Sequence, residues 1–286
     1  MKLSTLFDPY GRTLSEDVRK GAKDVLESLE AFANAFTDIV SRGDGSEEDY
    51  LVKTGEVHDT ISAVRQNLPE DNVSAVRKRW STDRGMLEDS LADVQSMIED
   101  DEDEDPDEDE DDGFDDELDM LGLGPTKKMS PEELDRTKKV HSLLRMVVLL
   151  HKRIFLDILK HSSPSISDST FDKLPPLSHK LLLAMEDVVA ALYAPQDVPT
   201  VHSSIAAIAD SVYHLQPLIL NEFIGSDGAE AVDALTKKME QVSVSGKLTK
   251  GKDADVRKWF NTCFEQIAKL SQTIVISLNA ESMSSS

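Results

Sequence analysis

Seven histidines, at 58, 141, 151, 161, 179, 202 and 214, and one cysteine, Cys263, are the residues with which this chain could bind a metal or run nucleophilic chemistry. A metal site needs its ligands on one face, as His-Glu-x-x-His or Cys-x-x-Cys spacing provides. Neither pattern occurs. His141, His151 and His161 are ten apart, and ten helical residues turn each about 80° out of register with the last. They read as surface or capping histidines. Cys263 lies between Phe260 and Ile267 on an apolar seam, with no neighbouring base to draw off its proton, and reads as a buried structural thiol. "VSGKLTKGK" (244–252) has Gly-Lys pairs without the spacing or preceding strand of a phosphate loop. No catalytic residue, cofactor or metal is expected, and no enzyme activity.

Carboxylates are abundant, but mostly in one place. Of the 55 acidic residues, 17 fall within "EDDEDEDPDEDEDDGFDDELD" (99–119); the remaining 38 face 31 basic residues, which brings the formal charge from −24 to −7. Catalytic carboxylates need a partly desolvated cleft that separates their pKa values. A run of like charges with almost nothing to bury stays solvated and cannot repay the entropy of ordering. It also lacks the spacing of a calcium loop. The run reads as a disordered tether, with Phe114, Leu118, Met120 and Leu121 as apolar beads at its end that suit docking on a partner's groove. A body at −7 has no global attraction to nucleic acid or anionic membrane, so neither is expected as a direct partner.

Around the tether the pattern is helical. Val18, Ala22, Val25, Leu29, Phe32, Phe36 and Ile39 step by four and three, which places them on one helix face. Ser15 ahead of two acids reads as that helix's N-cap. A second helix over 47–67 carries Val57, Ile61, Val64 and Leu68 and stops at Pro69. The third, over 70–98, carries Val73, Val76, Trp80, Leu87, Leu91, Val94 and Ile98, with its stripe interrupted at Asp83 and Arg84. Beyond the tether, Ser130, Pro131 and Glu133 form a capping box. Four apolar stripes follow, the first of them Leu143, Val147, Leu150, Ile154 and Ile158, on helices centred near 145, 185, 208 and 267, with a shorter segment at 227–244. Residues 161–176 read as a loop, and Pro217 is expected to kink or break its helix. No stretch alternates long enough for a strand. The expectation is an all-α protein of two antiparallel helical bundles, 1–98 and 129–280, joined by an acidic linker over 99–128.

Other features have a bland reading beside a sharper one. "RKRW" (77–80) is the densest basic cluster; with Trp80 on the apolar stripe, Arg77, Lys78 and Arg79 read as a solvated face rather than a nucleic-acid patch. Ser90 and Ser96 have acids three residues on, and Ser130 precedes a proline, patterns that protein kinases read. The opening "MKLSTLFDPYGRTLSED" has no apolar leader core, and "MVVLLHKRIFLDIL" (146–159) is too short and too charged for a membrane span. With a lone cysteine, a reducing compartment is expected.

Two stretches together resemble a known family. "GEVHDTISAVRQNLPEDNVSAVRKRWSTDRGMLEDSLADVQSMIED" (55–100) and "MEDVVAALYAPQD" (185–197) are similar to the cyclin-D-binding, or Grap-and-cyclin-D-interacting, proteins. The matching positions are Gly55, Val57, Leu68, Pro69, Asn72, Ala75 and Asp89, then Asp187, Leu192, Tyr193 and Pro195, most of them helix-core or turn residues. Asn72 reads as a helix cap and Asp89 as a surface acid. "KWFNTCFEQIAKLSQ" looks like the family's closing helix, and the acidic insert falls where the family carries one. Family members usually have further helical sequence ahead of the segment like 12–42, so the chain reads as a shortened form or one that homo-oligomerises. The resemblance implies a non-catalytic all-α protein of nucleus and cytoplasm that binds cyclin D and helix-loop-helix regulators and restrains cell-cycle progression or transcription. Two other readings stand beside it: a helical scaffold for cytoskeletal or vesicle partners, and an acidic histone-chaperone-like binder built on 99–119.

Overall fold

A computed structural model describes residues 10–42, 47–103, 128–161, 166–225 and 249–284, and among these every element is helical. The helices are α1 (Arg12–Arg42), α2 (Glu47–Asn67), α3 (Asn72–Asp103), α4 (Pro131–Arg153), the single turn α5 (Asp168–Phe171), α6 (Leu174–Ala191), α7 (Val198–Pro217) and α8 (Thr249–Ser284). The acidic run from 104 onward, with Phe114, Leu118, Met120 and Leu121, lies outside the described residues, as does the segment expected at 227–244. No described helix is long and apolar enough to cross a membrane.

The compact units divide the chain elsewhere than the sequence suggests. The first comprises Met1–Arg79 and Pro164–Pro175, the second Trp80–Ser163 and Pro176–Ser286. The expected boundary at 98/99 fell at the loss of apolar periodicity. In the structure the second part of α3 brings Trp80, Leu87, Val94 and Ile98 into the core of the second unit.

In the first unit α1 and α2 form an antiparallel hairpin, with Gly21 near one end of α1 against Val64 near the far end of α2. A Cβ at Gly21 would lie 3.1 Å from a Val64 methyl, so glycine permits the close approach. The start of α1 is not capped by Ser15, whose hydroxyl instead donates back to the Gly11 carbonyl at 2.6 Å. The orphan N–H groups of the first turn go to distant side chains. Arg12 and Thr13 donate to the two Asp172 carboxylate oxygens at 2.7 and 2.9 Å, and Leu14 donates to Asn72 Oδ1 at 3.0 Å. Asn72 is therefore a cap, but of α1; its own helix is capped by Asp71, which accepts from Ser74 N at 2.7 Å. Gly11, at φ +85, has no Cβ where one would overlap the Asn72 side chain at 2.1 Å. Burial alone would raise the Asp172 pKa, but bonds from Thr13, Arg12 and Asn72 outweigh it and hold the carboxyl below its ordinary range. The basic cluster serves the same end: Arg79 forks onto Glu16 at 2.9 Å and Asp17 at 2.7 Å, and Lys78 reaches the Asn67 carbonyl. Arg79 is thus half-buried and paired rather than a solvated charge.

In the second unit α8 packs against both α4 and α7. The capping box forms as read from sequence: Ser130 Oγ accepts from Glu133 N, and Glu133 Oε2 accepts from Ser130 N at 2.8 Å. Pro217 does not break its helix. The chain continues as a π-helical turn over Leu218–Phe223, a wider spiral that suits the bond proline cannot donate. A similar turn, Ile154–Leu159, extends α4. The expected loop at 161–176 also holds structure, since α5 buries Phe171 in the first unit and α6 begins at Leu174. Five acids expected in the tether, Glu99 to Asp103, instead finish α3.

Candidate interaction surfaces and a buried polar constellation

The residues that most resemble catalytic machinery sit inside the second unit. Ser178 on α6 donates to Asp83 Oδ2 at 2.5 Å, and its oxygen lies 2.9 Å from His151 Nε2. With the serine proton committed to Asp83, Nε2 must carry the imidazole proton and donate to Ser178, which leaves Nδ1 unprotonated. That nitrogen is buried with no partner. The ring stacks on Trp80 at 4.1 Å between centroids, and Trp80 Nε1 donates to the His151 carbonyl at 3.1 Å. Burial, with the charge of Arg84, lowers the His151 pKa from 6.5 to about 3.

This order is wrong for nucleophilic catalysis, where histidine accepts the serine proton and the carboxylate orients the histidine. Trp80, His151 and Ser178 are fully buried, and none of them lines either groove described below. The constellation fixes how α3, α4 and α6 meet. Sequence reading placed His151 on the surface and took Asp83 and Arg84 as a gap in a stripe. That gap was the available signal: two charged residues on a core-facing turn require partners from another helix.

A groove between α7 and α8 opens to solvent with a volume of about 460 Å³. Its walls run from Ile205 to Gln216 on α7 and from Phe264 to Val275 on α8. Each wall is eleven residues of rise, or about 16 Å. Ala206, Ala209, Ala268 and Ser271 keep it open, because short side chains leave space between the helices. Its rim includes Tyr213, 70 % exposed, and the one carboxylate, Asp210, is bonded to Lys180 at 2.7 Å. Such a trough fits three turns of an apolar helix face.

The first unit has its own uncovered apolar surface. Leu26, Phe36 and Val40 of α1 are 66, 56 and 70 % exposed, and Leu51 and Val52 of α2 are exposed too. Of the stripe read from sequence, Val18, Val25 and Phe32 are half-buried, but Ala22, Leu29 and Phe36 are exposed, and the last two form an open row with Leu26, Ala33 and Val40.

The residues matched to the family do not form one site. Asn72, Ala75 and Leu192 are buried; Val57 and Pro69 are half-buried; Gly55, Leu68, Asp89, Asp187, Tyr193 and Pro195 are exposed. Leu192, Tyr193 and Pro195 belong to a turn organised by Gln196, which the sequence did not single out. Gln196 N donates to Glu133 at 2.6 Å, and its amide nitrogen donates to the Thr137 hydroxyl and the Leu192 carbonyl at 2.9 Å each. Buried Arg136 bridges Gln196 and Glu281 at 2.7 Å each. Among the described residues no group of three or more His, Cys, Asp or Glu could hold a metal. Burial pushes the Cys263 thiol up to about 11, the inert state expected of it.

Two family models match the chain. One, described as Grap2 and cyclin-D-interacting, N-terminal, matches residues 3–100; its C-terminal counterpart matches 98–216. The α7 wall of the groove lies inside the matched span, and the α8 wall lies beyond it. A comparison with curated proteins found no match.

Proposed function

The chain belongs to the Grap2 and cyclin-D-interacting family, and from that premise we propose that it is a non-catalytic adaptor that binds a cyclin-D-like or helix-loop-helix regulator. It acts in nucleus and cytoplasm to restrain cell-cycle progression or transcription. The observation that supports this most is the family match itself, which runs across 3–216. The α7–α8 groove supplies a surface of the right kind, since a helical regulator offers the apolar face that a trough of about 16 Å accepts.

The test is capture of a purified D-type cyclin, and separately of a helix-loop-helix protein, by the intact chain. Ala206→Arg and Ala268→Arg fill the groove at exposed helix positions, where arginine keeps helix propensity high. A loss of tenfold or more, about 1.4 kcal/mol, with an unchanged circular dichroism spectrum supports the reading. Capture by neither partner defeats it. Binding of basic proteins that salt abolishes, and that disappears when 104–119 is replaced by Gly/Ser, favours the acidic-chaperone reading instead.

A further inference from the structure

Ser96 is exposed on the last turns of α3 and lines a second groove of about 280 Å³. The groove also takes in Asp93, Asp100, Asp101, Lys128 and Tyr193. The five residues from the third position after Ser96 onward are Glu99, Asp100, Asp101, Glu102 and Asp103, all acidic. Ser90, which also has an acid three residues on, has one acid in the five that follow it and is only half-exposed. Ser130 has its oxygen committed to the capping box of α4.

Kinases that select acidic sequence read the acids downstream of the serine in an extended segment, so the end of α3 must open to be read. It is built to open. A helix C-terminus carries partial negative charge and favours cations, yet α3 has no basic residue in its last turn and ends in five carboxylates. They repel one another and the helix end alike. Val94 and Ile98 hold the segment from the buried side, and Asp101 Oδ1 accepts from Met129 N at 2.9 Å just before α4.

We propose that Ser96 is a phosphorylation site for an acidophilic serine kinase, and that its phosphate unfastens the end of α3 from the start of α4. The Ser96 Oγ–P bond forms as the bond from the γ-phosphorus of ATP to its bridging oxygen breaks. ADP departs with that electron pair, and the hydroxyl proton passes to the kinase's base. The phosphate brings a charge of about −1.5 to −2 into a groove that already holds three carboxylates against one lysine. Asp93 three residues before it, and Glu99 and Asp100 three and four after, stand on the same helix face, where like charges destabilise. The strain falls on the Asp101–Met129 bond. This inference does not depend on which partner the protein binds.

The test treats the intact chain with a purified acidophilic serine kinase and ATP, maps phosphate by mass spectrometry, and follows amide exchange over 94–103 and at Met129. The expected result is one phosphate on Ser96, lost in Ser96→Ala and kept in Ser90→Ala, with exchange several-fold faster in the phosphorylated form. Absence of incorporation, or phosphate that maps only to Ser90 or Ser130, overturns the site. Phosphate on Ser96 with unchanged exchange overturns its effect on α3.

Discussion

Lowering the pH from 7.5 to 5.0 is expected to destabilise the second unit by about 2 kcal/mol through His151 alone. The folded unit holds His151 with its pKa lowered to about 3, against 6.5 for the ordinary group. The unfolded chain therefore takes up a proton below pH 6.5 that the folded one refuses. Stability is complete above 6.5 and falls with pH by about 1.4 kcal/mol per unit until the folded pKa is reached. At pH 5.0 the protein is 1.5 units below the unfolded pKa, which gives the figure above. The side chains that face the ring explain the refusal: Trp80 offers a stacked surface, Ser178 is committed to Asp83, and Arg84 repels an imidazolium. The assay is urea unfolding followed by tryptophan fluorescence at pH 7.5, 6.5 and 5.0 and constant ionic strength. His151→Leu keeps the Ser178–Asp83 bond and similar volume, so it should cost little at pH 7.5 and flatten most of the slope. Some slope will remain from His141, lowered by burial and by Arg145. Carboxylates with lowered pKa, such as Glu133 and Asp172, act in the same direction at lower pH, hence the stop at 5.0. If the wild-type slope survives in His151→Leu, the account of this histidine is wrong.

Other outcomes follow from the same geometry. Gly11→Ala must strain a positive φ and displace the Asn72 side chain, and should cost the first unit about 2 kcal/mol, read by urea unfolding. Asp172→Ala removes the acceptor for two first-turn N–H groups and should cost about 1–2 kcal/mol, with faster amide exchange at Arg12 and Thr13. Arg136→Ala takes a buried bridge from Gln196 and Glu281 and should lower stability by about 1–3 kcal/mol, whereas Lys180→Ala at an exposed pair should change it by less than about 1 kcal/mol. Cys263, with its thiol near 11, should react with maleimide at pH 8 at least about a hundredfold more slowly than a free thiol and reach full rate only in denaturant.

Local signals were legible in the sequence and long-range ones were not. The steps of four and three that marked Leu143, Val147, Leu150 and Ile154 as one face are borne out by their burial. The capping box at Ser130 and the stop at Pro69 also rest on neighbours within a turn, and both stand. Asn72 shows the limit. Its type announces a cap, but the helix it caps begins sixty residues earlier, and its partner Asp172 lies a hundred residues on. The same holds for His151, Ser178 and Asp83, which span almost a hundred residues and share no spacing that a period could reveal. The end of α3 was misplaced for a different reason. Acidic residues have low helix value at a C-terminus, but two buried anchors, Val94 and Ile98, carry the helix on into them.

The bonds from Arg12 and Thr13 to Asp172 impose an order on synthesis. The ribosome releases α1 and α2 early, complete at residue 67, but the carboxylate that caps α1 emerges a hundred residues later. At roughly 5–20 residues per second, the hairpin waits on the order of five to twenty seconds for it. Throughout that interval the helix that carries the exposed Leu26, Phe36 and Val40 lacks the carboxylate for the Arg12 and Thr13 N–H groups. The nascent N-terminal hairpin is thus a natural client for a holdase. A stop codon placed between residues 67 and 172 yields a hairpin that can never gain the carboxylate that caps its first helix.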